Sequence, residues 1–201
     1  HSNIHLQNAK KWIYRGKKFS PMRFLLVLAL LLPASLAKAS SALVVSVADQ
    51  KMALVQDGVL VAQYPVSTSR YGLGDRFGSY ATPAGNLVIA RKIGAGAPPG
   101  AVFKHRRPTG EILRPNAPGR DPIVTRILWL HGLDAGTRNA FSRKIYIHGT
   151  PQEKLIGKPA SYGCIRMRSR DIIKVFDRVS VGTPVKVTRA PLRVALAQLD
   201  G

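Results

Sequence analysis

Residues 145–150 read Ile-Tyr-Ile-His-Gly-Thr, and residues 160–167 read Ala-Ser-Tyr-Gly-Cys-Ile-Arg-Met. The first run is strand-like and stops at His148-Gly149. That puts His148 at a strand end, where side chains reach a cleft. The second run sets Cys164 behind Gly163 in a Ser-Tyr-Gly turn, where glycine permits a backbone tight enough to aim the Gly163 and Cys164 amides at one point. A thiol that attacks an amide needs a base, a group to hold the base, and donors for the oxyanion. His148 can be the base, the Gly149 carbonyl can accept from its second ring nitrogen, and the Gly163 and Cys164 amides can be the donors. An imidazolium beside Cys164 would lower the thiol pKa. One Cys and one His are by themselves more often structural, so the rest of the chain must add weight.

Outward from this stretch the chain reads as strands. Residues 42–48, 52–56 and 59–67 are apolar and β-branched, and Asp57-Gly58 between the last two is a hairpin signal. Thr82-Pro83-Ala84-Gly85 is a turn before a strand over 86–91. Residues 123–130 and 144–147 are further strands, and 185–187 closes the series. Ser169 can cap a short helix over 170–178, with Asp171 near its positive end. Residues 93–122 are rich in Gly, Pro and Arg and read as an irregular insertion, either a lid or binding loop or a disordered surface segment. Many short strands with one or two short helices predict a mainly β domain, a sandwich or barrel. It spans 40–188, with 189–201 as a C-terminal tail.

The stretch around Cys164 resembles the YkuD-type L,D-transpeptidase catalytic domain, a family that carries His-Gly, a variable loop, and then Ser/Thr-His-Gly-Cys-hydrophobic-Arg/Asn. Here these are His148-Gly149 and Ser161-Tyr162-Gly163-Cys164-Ile165-Arg166. Pro65-Val66-Ser67-Thr68, Thr82-Pro83-Ala84-Gly85 and Val181-Gly182-Thr183-Pro184-Val185 extend the resemblance over roughly residues 42–188. Tyr162 stands where the family has His, and it leaves the upstream base in place. The resemblance implies a YkuD-like fold and a Cys164 thioester on peptidoglycan stem peptides, with His148 as base and no metal or organic cofactor. The acceptor would be a second stem, an outer-membrane lipoprotein lysine, or water. Arg166, Ser161, Tyr162 and Tyr146 become substrate-binding candidates: Arg166 for a carboxylate, and Tyr146 for the cleft wall because it shares a strand face with His148. His131-Gly132 is a second His-Gly, less favoured because His148 is nearer the Cys loop.

The N-terminus bears on compartment. Met22-Arg23, the apolar run Phe24–Leu32 and Ala37-Lys38-Ala39 follow the order of a secretory signal peptide over 22–39. The run is too short for a transmembrane anchor. Residues 1–21 are set aside as an upstream extension. Export to the periplasm or cell wall follows, and there a lone cysteine has no partner in its own chain. Of the 31 Lys and Arg, seven precede residue 40 and none of the 10 acids does, which leaves +14 on residues 40–201. That charge attracts acidic partners. A wall polymer fits the compartment, whereas no nucleic-acid motif is present. The competing readings are a hydrolytic L,D-carboxypeptidase or murein peptidase, and a non-catalytic wall-binding module.

Overall fold

The computed structural model describes residues 40–198. The signal-peptide segment and the upstream extension lie outside them. The strands are β1 (Ser41–Ser46), β2 (Lys51–Gln56), β3 (Val59–Pro65), β4 (Gly85–Ile93), β5 (Ala101–Lys104), β6 (Arg107–Ile112), β7 (Ile123–Gly132), β8 (Tyr146–Gly149), β9 (Ile165–Met167) and β10 (Pro184–Thr188). Two helices, α1 (Ser169–Arg178) and α2 (Leu192–Ala197), complete the domain. The β2–β3 hairpin turns at Asp57 (φ 50°) and Gly58 (φ 77°), the two left-handed positions that a tight hairpin requires.

All ten strands join one sheet, in the order β3-β2-β1-β10-β4-β7-β5-β6, with β8 on β7 and β9 on β8. After β3 the chain returns to the other edge. Ser67 and Arg166 exchange backbone hydrogen bonds of 2.9 Å in each direction, and Ser69 bridges Ser161. The sheet thereby closes toward a barrel, as a mainly β chain of short strands does to avoid open edges. Alternate residues point inward: Leu43 and Val45 of β1, Met52 and Leu54 of β2, Leu128 and Leu130 of β7, and Ile147 of β8 share one core with Ile172, Val175 and Phe176 of α1.

Three expectations are corrected. Residues 93–122 are not wholly irregular, because β5 and β6 form a hairpin that is attached through β5 to β7. Its turn is His105 (φ 51°) and Arg106 (φ 66°), two left-handed residues without the Asn-Gly or Asp-Gly signature that would have announced it. Ser169 does not cap α1. Arg168 holds that position, Glu153 Oε1 accepts from the Ser169 N–H at 2.8 Å, and the Ser169 hydroxyl bonds Thr125 Oγ1 at 2.8 Å. The segment after residue 188 contains α2, whose Leu192 and Ala195 cover Val44 and Ala53 on the outer side of the β1–β2 pair. Its first turn is tied down by Asp49 Oδ2, which accepts from the Leu192 N–H at 2.6 Å.

Candidate active site

Strand β7 organises the site. Its Val124–Trp129 stretch pairs with β8, and β8 pairs in parallel with β9, which sets Ile147 beside Ile165 and His148 beside Arg166. Cys164 immediately precedes β9 and so falls across from Tyr146. The Tyr146 amide lies 3.4 Å from the sulfur, and the thiol points at the Lys144 carbonyl at 3.5 Å. Cys164, His148, Ser161, Tyr162, Arg166, Asp121 and Ile123 line a cleft of about 150 Å³.

Gly149 has a steric reason to be glycine. A Cβ there would lie 2.6 Å from the Val124 carbonyl oxygen and 3.1 Å from Thr125 Cβ, where β7 bulges. This close approach brings the Gly149 carbonyl to 2.8 Å from His148 Nδ1. A carbonyl can only accept, so Nδ1 carries the proton and Nε2 keeps its lone pair. His148 is 5 % exposed. Burial is the main force on its pKa and lowers it to about 4, against the Gly149 carbonyl and the Asp121 charge; Arg166 adds to the lowering. Burial likewise pushes the Cys164 thiol up to about 11, opposed by the Tyr146 amide and by the charges of Arg143 and Arg166. The resting site therefore favours a neutral thiol and a neutral imidazole, not the imidazolium–thiolate pair expected from the residue types alone. Desolvation disfavours the charged form of each group.

The Cys turn is fixed from two sides. Gly163 adopts φ 120°, and its carbonyl accepts from Thr82 Oγ1 at 3.0 Å. Ser161 Oγ donates to the Cys164 carbonyl at 2.5 Å and accepts from the Gly163 amide at a long 3.3 Å. Ser161 is thus built into the turn. Arg143 and Asp75 form an ion pair of 3.1 Å with both side chains buried, and Arg143 also donates to the Gly74 and Ala81 carbonyls at 3.0 and 2.7 Å. This pair secures the loop that packs on the Cys turn.

The other candidates take distinct places. Tyr162 is 59 % exposed at the cleft mouth. Tyr146 is buried edge-on against Trp129, in a cluster with Phe103 and Ile127 on which Cys164 packs. Its ring therefore supports the cleft and does not form its wall. Arg166 lines the cleft, but its guanidinium is held by Asp121 and by Ser67 Oγ. Its charge is thus met by Asp121 within the protein, and a substrate carboxylate would have to share it with that partner. Exposed His131 packs on Phe141 and is not among the cleft residues. Gly132 beside it is required because a Cβ would fall 1.8 Å from the Thr137 carbonyl oxygen. The second His-Gly thus has a packing explanation.

Sequence reasoning missed Asp121, the penultimate residue of the 93–122 segment, which bonds Arg166 and accepts from Thr150 Oγ1 at 2.5 Å. Nothing local marks it, because its partners lie 29 and 45 residues away. Among the described residues no group of three or more His, Cys, Asp or Glu is placed to hold a metal ion. No helix among them is long and apolar enough to cross a membrane.

YqjB of Bacillus subtilis, named as an L,D-transpeptidase, is 46 % identical over 68 residues, 34 % of this chain and 36 % of that protein. YkuD of Bacillus licheniformis, also so named, is 38 % identical over 80 residues, 39 % of this chain and 48 % of that protein. The matched segments thus span less than half the length of either relative. Among solved structures, an L,D-transpeptidase from Mycobacterium tuberculosis aligns at 20 % identity with a TM-score of 0.49, covering 75 % of this chain and 58 % of that one. The model of the L,D-transpeptidase catalytic domain, YkuD, matches residues 40–187. With a match that runs from β1 into β10 and takes in His148, Gly149 and Cys164, the chain belongs to the L,D-transpeptidase (YkuD) family.

Proposed function

We propose that this protein is an exported cysteine acyltransferase that crosslinks or trims peptidoglycan stem peptides through a thioester on Cys164. The observation that carries the reading is the shared cleft of Cys164 and His148, with Nδ1 bound to the Gly149 carbonyl so that Nε2 is the basic nitrogen. As sulfur attacks the carbonyl of the third stem residue, a diamino acid, Nε2 takes the thiol proton. The oxyanion meets the Cys164 amide and the Gly163 amide, whose bond to Ser161 is long enough to be exchanged. The C–N bond to the terminal D-Ala breaks, and His148 returns its proton to the leaving amine. The thioester then passes to an amine of a second stem, giving a 3→3 crosslink, while His148 takes the amine proton. A lipoprotein lysine is an alternative acceptor, and water in the same place gives carboxypeptidase activity.

A neutral imidazole supports this order of events. With its pKa lowered by burial, Nε2 carries a free lone pair through the neutral range, and transfer from the thiol is driven by substrate entry and by sulfur–carbon bond formation, since the resting imidazole is a weak base. Residues 22–39 would direct the chain to the periplasm or cell wall, and the +14 charge would hold it near acidic wall polymer. The test is incubation of the protein with stem tetrapeptides, with products resolved by mass. Loss of D-Ala with a Cys164 acyl adduct, followed by dimer or tripeptide, is the expected result. Unchanged tetrapeptide with a Cys164 that still reacts with a small electrophile would refute the assignment.

A further inference from the structure

Beside the cleft stand three exposed tyrosines. Tyr71, Tyr80 and Tyr162 are 53 %, 56 % and 59 % exposed. Their ring centroids are 5.8 Å (Tyr71–Tyr80), 5.7 Å (Tyr71–Tyr162) and 6.1 Å (Tyr80–Tyr162) apart, with planes inclined by 43° to 84°. A cluster of large rings left in water marks an interaction surface more often than a packing accident. The rings are also held in place. The buried Ser69 hydroxyl donates to the Tyr80 carbonyl at 2.5 Å and accepts from the Tyr71 amide at 2.9 Å, while Ser69 bridges Ser161, the neighbour of Tyr162. One residue thus fixes the backbone beneath all three. Tyr80 sits at φ 54°, a left-handed conformation unfavourable for a bulky side chain, and strain of this kind persists where the surroundings impose it. Arg70 lies 5.0 Å from the Tyr162 ring centroid and donates to the Ala160 carbonyl at 3.1 Å, which steadies that ring.

We propose that the Tyr71–Tyr80–Tyr162 cluster is a carbohydrate subsite that takes a pyranose ring of the glycan strand bearing the stem peptide. The proposal rests on the stem-peptide reading of the cleft and names what lies next to it. Tyr162 belongs to both surfaces, so the cluster continues the cleft without a break. The scissile carbonyl of the stem lies three residues from the sugar, about 10 Å of extended chain. Tyr162 lines the same cleft as Cys164, and the Tyr71 and Tyr80 rings lie 5.7 and 6.1 Å beyond the Tyr162 ring. A sugar suits the surface chemically. Its C–H face covers an aromatic face, and its hydroxyls pair with phenol groups that would otherwise need water. Tyr162 standing where the family motif has His gives this chain the ring that joins the cluster to the cleft.

The experiment separates this proposal from the catalytic one. Glycan chains stripped of their stem peptides are titrated into the Cys164→Ser protein, with the tyrosine ring signals followed by NMR. Saturable binding that shifts all three tyrosines is expected, weakened on the order of tenfold in Tyr71→Ala, as for loss of one aromatic contact, and weakened less in Tyr71→Phe, which keeps the ring and loses only the hydroxyl. Thermal melts of the variants establish that the fold is intact. No saturable binding, binding that Tyr71→Ala keeps, or equal binding of a proline-rich peptide overturns the proposal. Turnover of a bare stem tetrapeptide by the protein with Cys164 intact is read in parallel. Its absence counts against the acyltransferase reading and leaves the glycan result to stand or fall by itself.

Discussion

At Cys164, burial and nearby positive charge oppose each other, and burial prevails, leaving the thiol near 11. Alkylation by a small neutral electrophile should therefore climb with pH from about 6 to 9, without the neutral-range plateau of a preformed thiolate. Rates against pH check this, and a plateau near pH 6 would restore the imidazolium–thiolate pair. In the acyl-transfer assay Cys164→Ala and Cys164→Ser should abolish product. His148→Ala should cost on the order of 10²–10⁴ in rate, the usual span for a general base. His131→Ala should act like the unaltered protein, since that residue lies outside the cleft. The neighbouring glycine permits a separate test. Gly149→Ala would drive a Cβ to 2.6 Å from the Val124 carbonyl, so β8 must move away from β7 and carry the carbonyl that orients His148 with it. A loss of about 1–3 kcal/mol is expected from such crowding, with kcat falling more than KM. Denaturation and steady-state kinetics measure both, and unchanged kcat would mean that the carbonyl contact does not orient the base.

Among the elements, the approach to β7 and strand β9 depend on each other through Asp121 and Arg166. The Arg166 side chain is 5 % exposed and that of Asp121 24 %, so this ion pair is largely removed from water. Asp121→Asn should destabilise the domain by about 3 kcal/mol, because it leaves a buried guanidinium uncompensated. It should also move His148. The Asp121 charge favours the imidazolium, so its removal must lower the His148 pKa further. Ring-proton NMR titration reads this directly, and an upward shift would contradict the electrostatic arrangement. The β5–β6 hairpin has a comparable structural role. Phe103 of β5 packs with Trp129 and Tyr146, and Arg106 at the turn lies 4.8 Å from the Trp129 ring centroid. A segment expected to be loop thus covers the aromatic cluster beneath Cys164.

Across residues 40–198, buried His148 and half-buried Cys164 limit stability at opposite ends of the pH scale. The His148 pKa falls from 6.5 when unfolded to about 4 when folded. The unfolded chain therefore binds the proton first on acidification, and stability that is complete above pH 6.5 is lost as pH falls toward 4, about 3 kcal/mol in all. The Cys164 pKa rises from 9.0 to about 11, so the unfolded thiol ionises first and stability is lost as pH climbs from 9 toward 11. Denaturant midpoints measured from pH 4 to 10 should fall at both ends. His148→Gln should flatten the acid limb between pH 6.5 and 4.5, and Cys164→Ser the alkaline limb. An acid limb that survives His148→Gln unchanged would show that other groups carry it.

The sequence alone was enough for the local decisions. Alternation and the Asp57-Gly58 turn announced the opening strands, and the His148-Gly149 and Ser161–Arg166 motifs carried the resemblance to the family, because each is written within a few residues. The sequence also located helix α1 closely, since its apolar spacing is local. What it did not hold were relations between distant segments. The His105-Arg106 hairpin turn is made by residues with no intrinsic left-handed preference, and β9 has only three residues to pair with β8. Asp121 meets Arg166 across 45 residues, and three tyrosines from two loops meet over Ser69. Protonation was likewise decided by tertiary structure. Whether Cys164 and His148 rest as ions or as neutral groups depends on how much water the folded sheet removes from them, and desolvation is a property of packing that residue types do not carry.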